Sequence, residues 1–163
     1  MIANDERYMQ RALELAAQAE RAGDVPVGAV LVSDNLVIEA QNEKEARCDA
    51  TAHAEMLALQ AASRRLGTWR LENATLYVTK EPCVMCAGAL IAARIRRLVY
   101  AANDPKGGAD GGAFDVLRSR TANHRIEVEA GVLQLEASAQ LQRFFRARRE
   151  TADAEGIERT APE

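Results

Sequence analysis

Residues 74–94 read Ala74-Thr75-Leu76-Tyr77-Val78-Thr79-Lys80-Glu81-Pro82-Cys83-Val84-Met85-Cys86-Ala87-Gly88-Ala89-Leu90-Ile91-Ala92-Ala93-Arg94, a strand pattern running into a helix pattern. Leu76 and Val78 alternate with Thr75, Tyr77 and Thr79, the two-residue period of a strand. Glu81-Pro82 interrupts that period. Proline suits the first position of a helix, and the apolar, alanine-rich run after it has helix length. Cysteines three apart on such a helix share one face, so Cys83 and Cys86 can reach a single metal ion.

Beyond this helix, 98–101 supplies another short strand. Upstream, apolar residues at three- and four-residue steps (Met9, Ala12, Leu13, Ala16, Ala17) predict a helix from an Asp5 cap to about Arg21, with Gly23 as its stop. The apolar run 27–32, the turn Ser33-Asp34-Asn35 and 36–40 predict a hairpin. Residues 42–50 read as a polar loop, and Thr51 is placed to cap a helix that runs through Arg65 and ends at Gly67. Downstream, 103–112 is a glycine-rich loop leading to a short helical piece around 114–117. A last strand is expected at 126–128. A long final helix follows over 133–149, with Leu133, Ala137, Leu141 and Phe144 along one side. This order implies an α/β fold, one central sheet with helices on both faces. Residues 1–149 are expected to form the domain and 150–163 an acidic, flexible tail.

The 163 residues suit one domain, and no apolar stretch is long enough to span a membrane. The N-terminal residues lack the basic start and apolar middle of a secretory signal, so a cytoplasmic location is expected. The three cysteines cannot form a disulfide framework, and a C-x-x-C pair in a reducing compartment points to metal or redox chemistry. The net charge of −3 hides an uneven distribution. Residues 94–149 hold eleven Lys and Arg against six acids, whereas 150–163 hold five acids against one Arg. Phosphate binding depends on such a local basic region rather than on the total.

His53-Ala54-Glu55 stands at the start of one helix and Pro82-Cys83-Val84-Met85-Cys86 at the start of the next. A helix N-terminus favours the thiolate that binds metal. One histidine and two cysteines make three ligands, and a zinc site with three protein ligands leaves its fourth position open to water, as catalytic sites do. Glu55 lies two residues beyond His53, within reach of that water without being a ligand. Each piece alone has a plainer meaning: C-x-x-C also opens helices in redox proteins, and a single histidine is more often packed or exposed. Together, H-x-E followed by a strand and P-C-x-x-C form the signature of the zinc-dependent nucleobase deaminases.

The chain from about residue 8 to 149 resembles the bacterial tRNA-specific adenosine deaminase family of the cytidine-deaminase superfamily. The matching runs are Val25-Pro26-Val27-Gly28-Ala29-Val30, Thr51-Ala52-His53-Ala54-Glu55, Leu76-Tyr77-Val78-Thr79, Glu81-Pro82-Cys83-Val84-Met85-Cys86-Ala87-Gly88-Ala89, Asn103-Asp104-Pro105-Lys106, Asn123-His124-Arg125 and Phe144-Phe145-Arg146-Ala147-Arg148-Arg149. The resemblance implies a three-layer cytidine-deaminase-like fold around a mixed sheet of about five strands. It also implies a homodimer and one Zn2+ per subunit on His53, Cys83 and Cys86. Glu55 would be the proton carrier in hydrolytic conversion of adenosine to inosine at the wobble position of a tRNA anticodon stem-loop. Asn42 would bond the base edge, Val27 would line the pocket, and the backbone near Ala54 and Pro82 would lie close to the base. Asp104 would accept from a ribose hydroxyl, with Lys106, Phe145, Arg148 and Arg149 on the RNA. The loop 107–112 departs from the family by being richer in glycine and lacking its usual Ser. The alternatives are a deaminase of free guanine or cytosine, which would share the zinc motif, and a structural-zinc or redox module, in which Glu55 would be idle.

Overall fold

The computed structural model describes residues 2–156. Five helices and five strands follow in the order α1 (Ile2–Arg21), β1 (Gly28–Ser33), β2 (Leu36–Gln41), α2 (Lys44–Arg47), α3 (Ala54–Leu66), β3 (Thr75–Lys80), α4 (Val84–Ala92), β4 (Arg97–Ala102), β5 (Glu127–Ala130) and α5 (Gln134–Ala154). The strands form one mixed sheet in the order β2-β1-β3-β4-β5. β1 is antiparallel to both β2 and β3, whereas β3, β4 and β5 are parallel. The α/β architecture expected from the element order is therefore present.

Alternation along the central strands sends side chains into two cores. Leu76, Val78, Leu98 and Tyr100 face α3 and α4, meeting Ala58, Leu59, Ala62, Ala87 and Leu90. Tyr77, Val99 and Ala101 face α1 and α5, meeting Met9, Ala12, Leu13, Ala137 and Leu141. Both faces being covered, β3 is buried along nearly its whole length despite its polar threonines. Gly28 marks the tightest contact: a Cβ there would stand 2.0 Å from the Ala12 carbonyl oxygen, so only glycine lets β1 approach α1 so closely.

Several local expectations are corrected. Asp5 does not cap α1, which begins at Ile2; its buried carboxylate instead accepts from the Tyr77 hydroxyl (2.9 Å) and from Arg97 Nη1 (2.8 Å) and Nη2 (3.0 Å). Thr51 does not cap α3. It closes a turn on Asp49, donating to Oδ1 through both its N–H and its hydroxyl, and the helix starts three residues later with His53 in the cap position. The loop 42–50 contains the single turn α2. No helix forms around 114–117, because the amides of Phe114, Val116 and Leu117 donate back to the carbonyls of Gly108 and Ala109. α5 continues through Ala154, so the first residues expected in the tail are helical; 157–163 lie outside the described residues.

The Asp5–Arg97 pair ties the first helix to β4 with both side chains nearly buried. Asp5→Ala would strand the guanidinium, and breaking such a pair costs about 3–5 kcal/mol. Hydrogen bonds from Arg97 first, and from Tyr77, hold the Asp5 carboxyl below its ordinary 3.8. The stabilisation is thus fully present above that value and is lost as pH falls through the lower folded one. Thermal melts of the native chain and Asp5→Asn, compared between pH 7 and pH 3, should converge on the acid side. A constant gap would contradict this account.

Candidate active site

In a sheet with parallel strands, sites form beyond the strand C-termini. β3 ends at Lys80 and leads through Glu81-Pro82 to Cys83, while β4 ends at Ala102 and leads to Asp104. α3 and α4 both begin here, with His53 and Cys83 as their cap residues in extended conformation. The positive ends of two helix dipoles therefore meet at one point, which favours thiolate and other anionic groups.

His53 Nδ1 lies 3.6 Å from Cys83 Sγ and 3.5 Å from Cys86 Sγ. The three ligand atoms lie within 4.8 Å of one another. Tetrahedral zinc with its usual bonds to nitrogen and sulfur separates these atoms by about 3.5 Å, so the cluster fits that ion and could hold a metal. The hydrogen bond from Cys86, followed by that from His53, pushes the Cys83 thiol down to about 3. The same hydrogen bond and burial push Cys86 up. Cys48 is exposed and is not part of the cluster.

Glu55 sits in the first turn of α3, only 4% exposed, and its Oε2 has no hydrogen-bond partner among the described residues. A buried carboxyl oxygen without a partner is costly unless something binds there. Burial pushes the Glu55 carboxyl up from its ordinary value. Asn42 explains where the cap of α3 went: its Oδ1 accepts from the Ala54 N–H at 2.9 Å across twelve residues of chain. That bond fixes the Asn42 amide beside His53 and Glu55 and occupies the Ala54 N–H.

These residues surround a cavity of about 120 Å³ lined by Val27, Asn42, His53, Glu55, Cys83 and Phe145, together with Val25, Lys44, Lys80 and Glu81. Lys80 and Phe145 also line a neighbouring groove of about 760 Å³, whose other walls are Asp104, Lys106, Gly107, Leu141, Gln142, Arg146 and Arg149. The Asp104 carboxylate is fixed by Lys80 Nζ (2.8 Å) and by the amides of Lys106 and Gly107, both at 3.1 Å. Pro82 is buried next to Glu81 and Cys83, its carbonyl accepting from Ala109, and does not itself line the cavity.

Arg148 does not line the groove. Residues 142, 145, 146 and 149 share the helix face that lines the groove, and 148 falls with 144 on another. Its guanidinium lies 4.8 Å over the Phe144 ring, and Nη2 donates to the Gly23 carbonyl at 3.0 Å, fastening α5 to the end of α1. Phe144 is buried, as its place in the apolar stripe implies, and Phe145 is 40% exposed. His124 supports the fold by bonding the Ile95 carbonyl. Sequence reading left Lys44, Lys80, Glu81 and Gln142 out of the site. The signal for Lys80 and Glu81 was their place between a strand end and the first cysteine.

Residues 3–149 match the MafB19-like deaminase family. The chain is 47% identical over 151 residues to the tRNA-specific adenosine deaminase of Bacillus subtilis (strain 168), covering 92% of this chain and 94% of that one. It is 49% identical over 148 residues to the tRNA-specific adenosine deaminase of Haemophilus influenzae, covering 90% and 86%. A solved structure from work on A-to-I editing by tRNA:A34 deaminases at the wobble position of transfer RNA superimposes with a TM-score of 0.78 at 44% identity, covering 83% of this chain and 99% of that one. Family match, identity and the His-Cys-Cys cluster agree, and the chain belongs to the MafB19-like deaminase family, within its tRNA-specific adenosine deaminases.

Proposed function

We infer that this protein is an enzyme that deaminates adenosine to inosine at the wobble position of a tRNA anticodon loop, consuming water and releasing ammonia. The observation that carries the reading is Glu55: a buried carboxyl with one unpartnered oxygen, beside a cluster that could hold a metal, in a cavity that shares Lys80 and Phe145 with a basic groove.

One zinc ion per subunit would be held by His53, Cys83 and Cys86. When bound, it supplies a water acidic enough to ionise near neutral pH. Glu55 would receive a proton from the attacking water and deliver it to the ring nitrogen beside the amino-bearing carbon. It would then carry a second proton to the departing amine. Burial suits it to this exchange, because a carboxyl raised above its ordinary value gains and loses protons more readily near neutral pH. Asn42, with Oδ1 occupied by Ala54, would offer its amide nitrogen to an acceptor on the base edge. Val27 would pack against the ring, with the Ala54 and Pro82 backbone forming the adjoining wall.

A cavity this small takes a base only after it leaves its stack, which costs least in an exposed loop. The groove would hold the flanking RNA. Phe145, which lines both cavity and groove, would stack a neighbouring base, and Lys106, Arg146 and Arg149 would face phosphates. Asp104 would accept from a ribose hydroxyl, the group that distinguishes RNA from DNA. The exposed Trp69 and the apolar cleft of about 500 Å³ that it forms with Met56, Leu59, Ala89, Ala92 and Ala93 support a homodimer through this face. No helix among the described residues is long and apolar enough to cross a membrane, and a tRNA substrate would place the reaction in the cytoplasm.

The substrate is tested by offering the protein an anticodon stem-loop, free guanine and free cytosine in parallel. Ammonia release only with the stem-loop is expected, and release only with a free base would favour the nucleobase alternative. Arg146→Ala with Arg149→Ala should raise KM for the stem-loop and leave kcat little changed. The logarithmic salt slope should flatten by about 0.7 for each lost single-strand phosphate contact. An unchanged slope would mean that this helix face is only solvated.

A further inference from the structure

Glu81 has no part in the chemistry above, yet its buried carboxylate is the hub of the loop that carries Asp104. Oε2 accepts from the Asp104 amide at 2.8 Å, and Oε1 accepts from the Asp110 amide at 2.9 Å. One side chain thus grips both ends of a seven-residue loop segment. The Glu81 amide donates to the Ala102 carbonyl at 2.7 Å, and two residues on, Cys83 pairs in a bridge with Gly108. Gly108 shows how tight the arrangement is. It does not adopt a positive φ, so its backbone does not call for glycine, but a Cβ there would stand 2.2 Å from the Glu81 carboxylate carbon. Glycine at 108 therefore makes room for the carboxylate, and the glycine-rich run 107–112 has a structural reason at this position.

We propose that Glu81 is a positioning residue for substrate recognition: it locks the Asp104 loop to the strand end that presents Cys83, so that the RNA-facing loop and the metal-binding segment keep one register. The consequence for RNA rests on the substrate reading above; the locking itself does not. A methyl group at 108 would push the carboxylate off both amides, so Gly108→Ala should reproduce the loss of Glu81. In a Glu81→Ala background the same methyl should do no further harm, since its obstacle is gone.

The test uses the metal-loaded, full-length protein and the variants Glu81→Gln, Glu81→Ala, Gly108→Ala and the double variant Glu81→Ala/Gly108→Ala. Amide hydrogen exchange at Asp104 and Asp110 should accelerate about tenfold in Glu81→Ala and Gly108→Ala. Glu81→Gln, which retains one acceptor oxygen, should expose mainly one of the two amides. The double variant should match Glu81→Ala rather than add to it. With the anticodon stem-loop, KM should rise about tenfold while kcat stays within about threefold. Unchanged exchange, additive effects of the two substitutions, or metal loss from Glu81→Gln would each overturn the proposal. If the native chain fails to deaminate the stem-loop while exchange responds as described, the substrate reading fails and the locking role stands.

Discussion

Glu55→Ala is expected to lower kcat by at least about 10²- to 10⁴-fold, the usual contribution of one positioned acid–base group, and by more if both proton transfers pass through it. Metal content should stay at one ion per chain, because Glu55 is not among the cluster of ligand atoms. Thermal stability should hold or rise. The side chain is almost fully buried with Oε2 unpartnered, so its removal also removes an unsatisfied polar group. That combination separates a catalytic carboxylate from a structural one, whose loss would lower stability. Rate, metal content and melting temperature measured on one preparation decide it. Near-native turnover would remove Glu55 from the mechanism, and a large drop in melting temperature would make it structural.

Cys86→Ala should take metal binding and activity together. Cys86 is fully buried beneath His53 and Cys83, so no water or neighbouring side chain can easily take its place as ligand. Metal analysis after purification without chelator should find one zinc per chain in the native protein and close to none in the variant. A strong chelator should likewise abolish native turnover, and added zinc should restore it. Cys48→Ala, at an exposed thiol outside the cluster, should change neither. Zinc retained by Cys86→Ala at native affinity would contradict the three-ligand set.

The element order and the cluster were legible in sequence because each rests on local periodicity or fixed spacing. Two residues between two cysteines at a helix start leave little freedom, and His53-Ala54-Glu55 carries its own geometry. The caps were less legible, since they depend on partners distant in the chain. Thr51 has the chemistry of a cap, but Asp49 claims it, and Asn42 supplies the acceptor for α3 from twelve residues away. Asp5 similarly looks like a cap until Arg97 and Tyr77, on two other strands, are folded against it. Arg148 and Arg149 are neighbours in sequence but lie on different helix faces, a distinction visible only once the core side of α5 is fixed by Ala137, Leu141 and Phe144. The place of Glu81 before the first cysteine puts it near the site but does not reveal its bonds, because the two amides it binds belong to a loop whose path has no sequence period.

Incubating the purified, zinc-loaded protein with tRNA and sequencing the product, in which inosine is read as guanosine, decides whether this chain edits the wobble adenosine. Conversion is expected at the first anticodon position and nowhere else, and none with Glu55→Ala. Unaltered tRNA, with ammonia released instead from free guanine or cytosine under the same conditions, would contradict it.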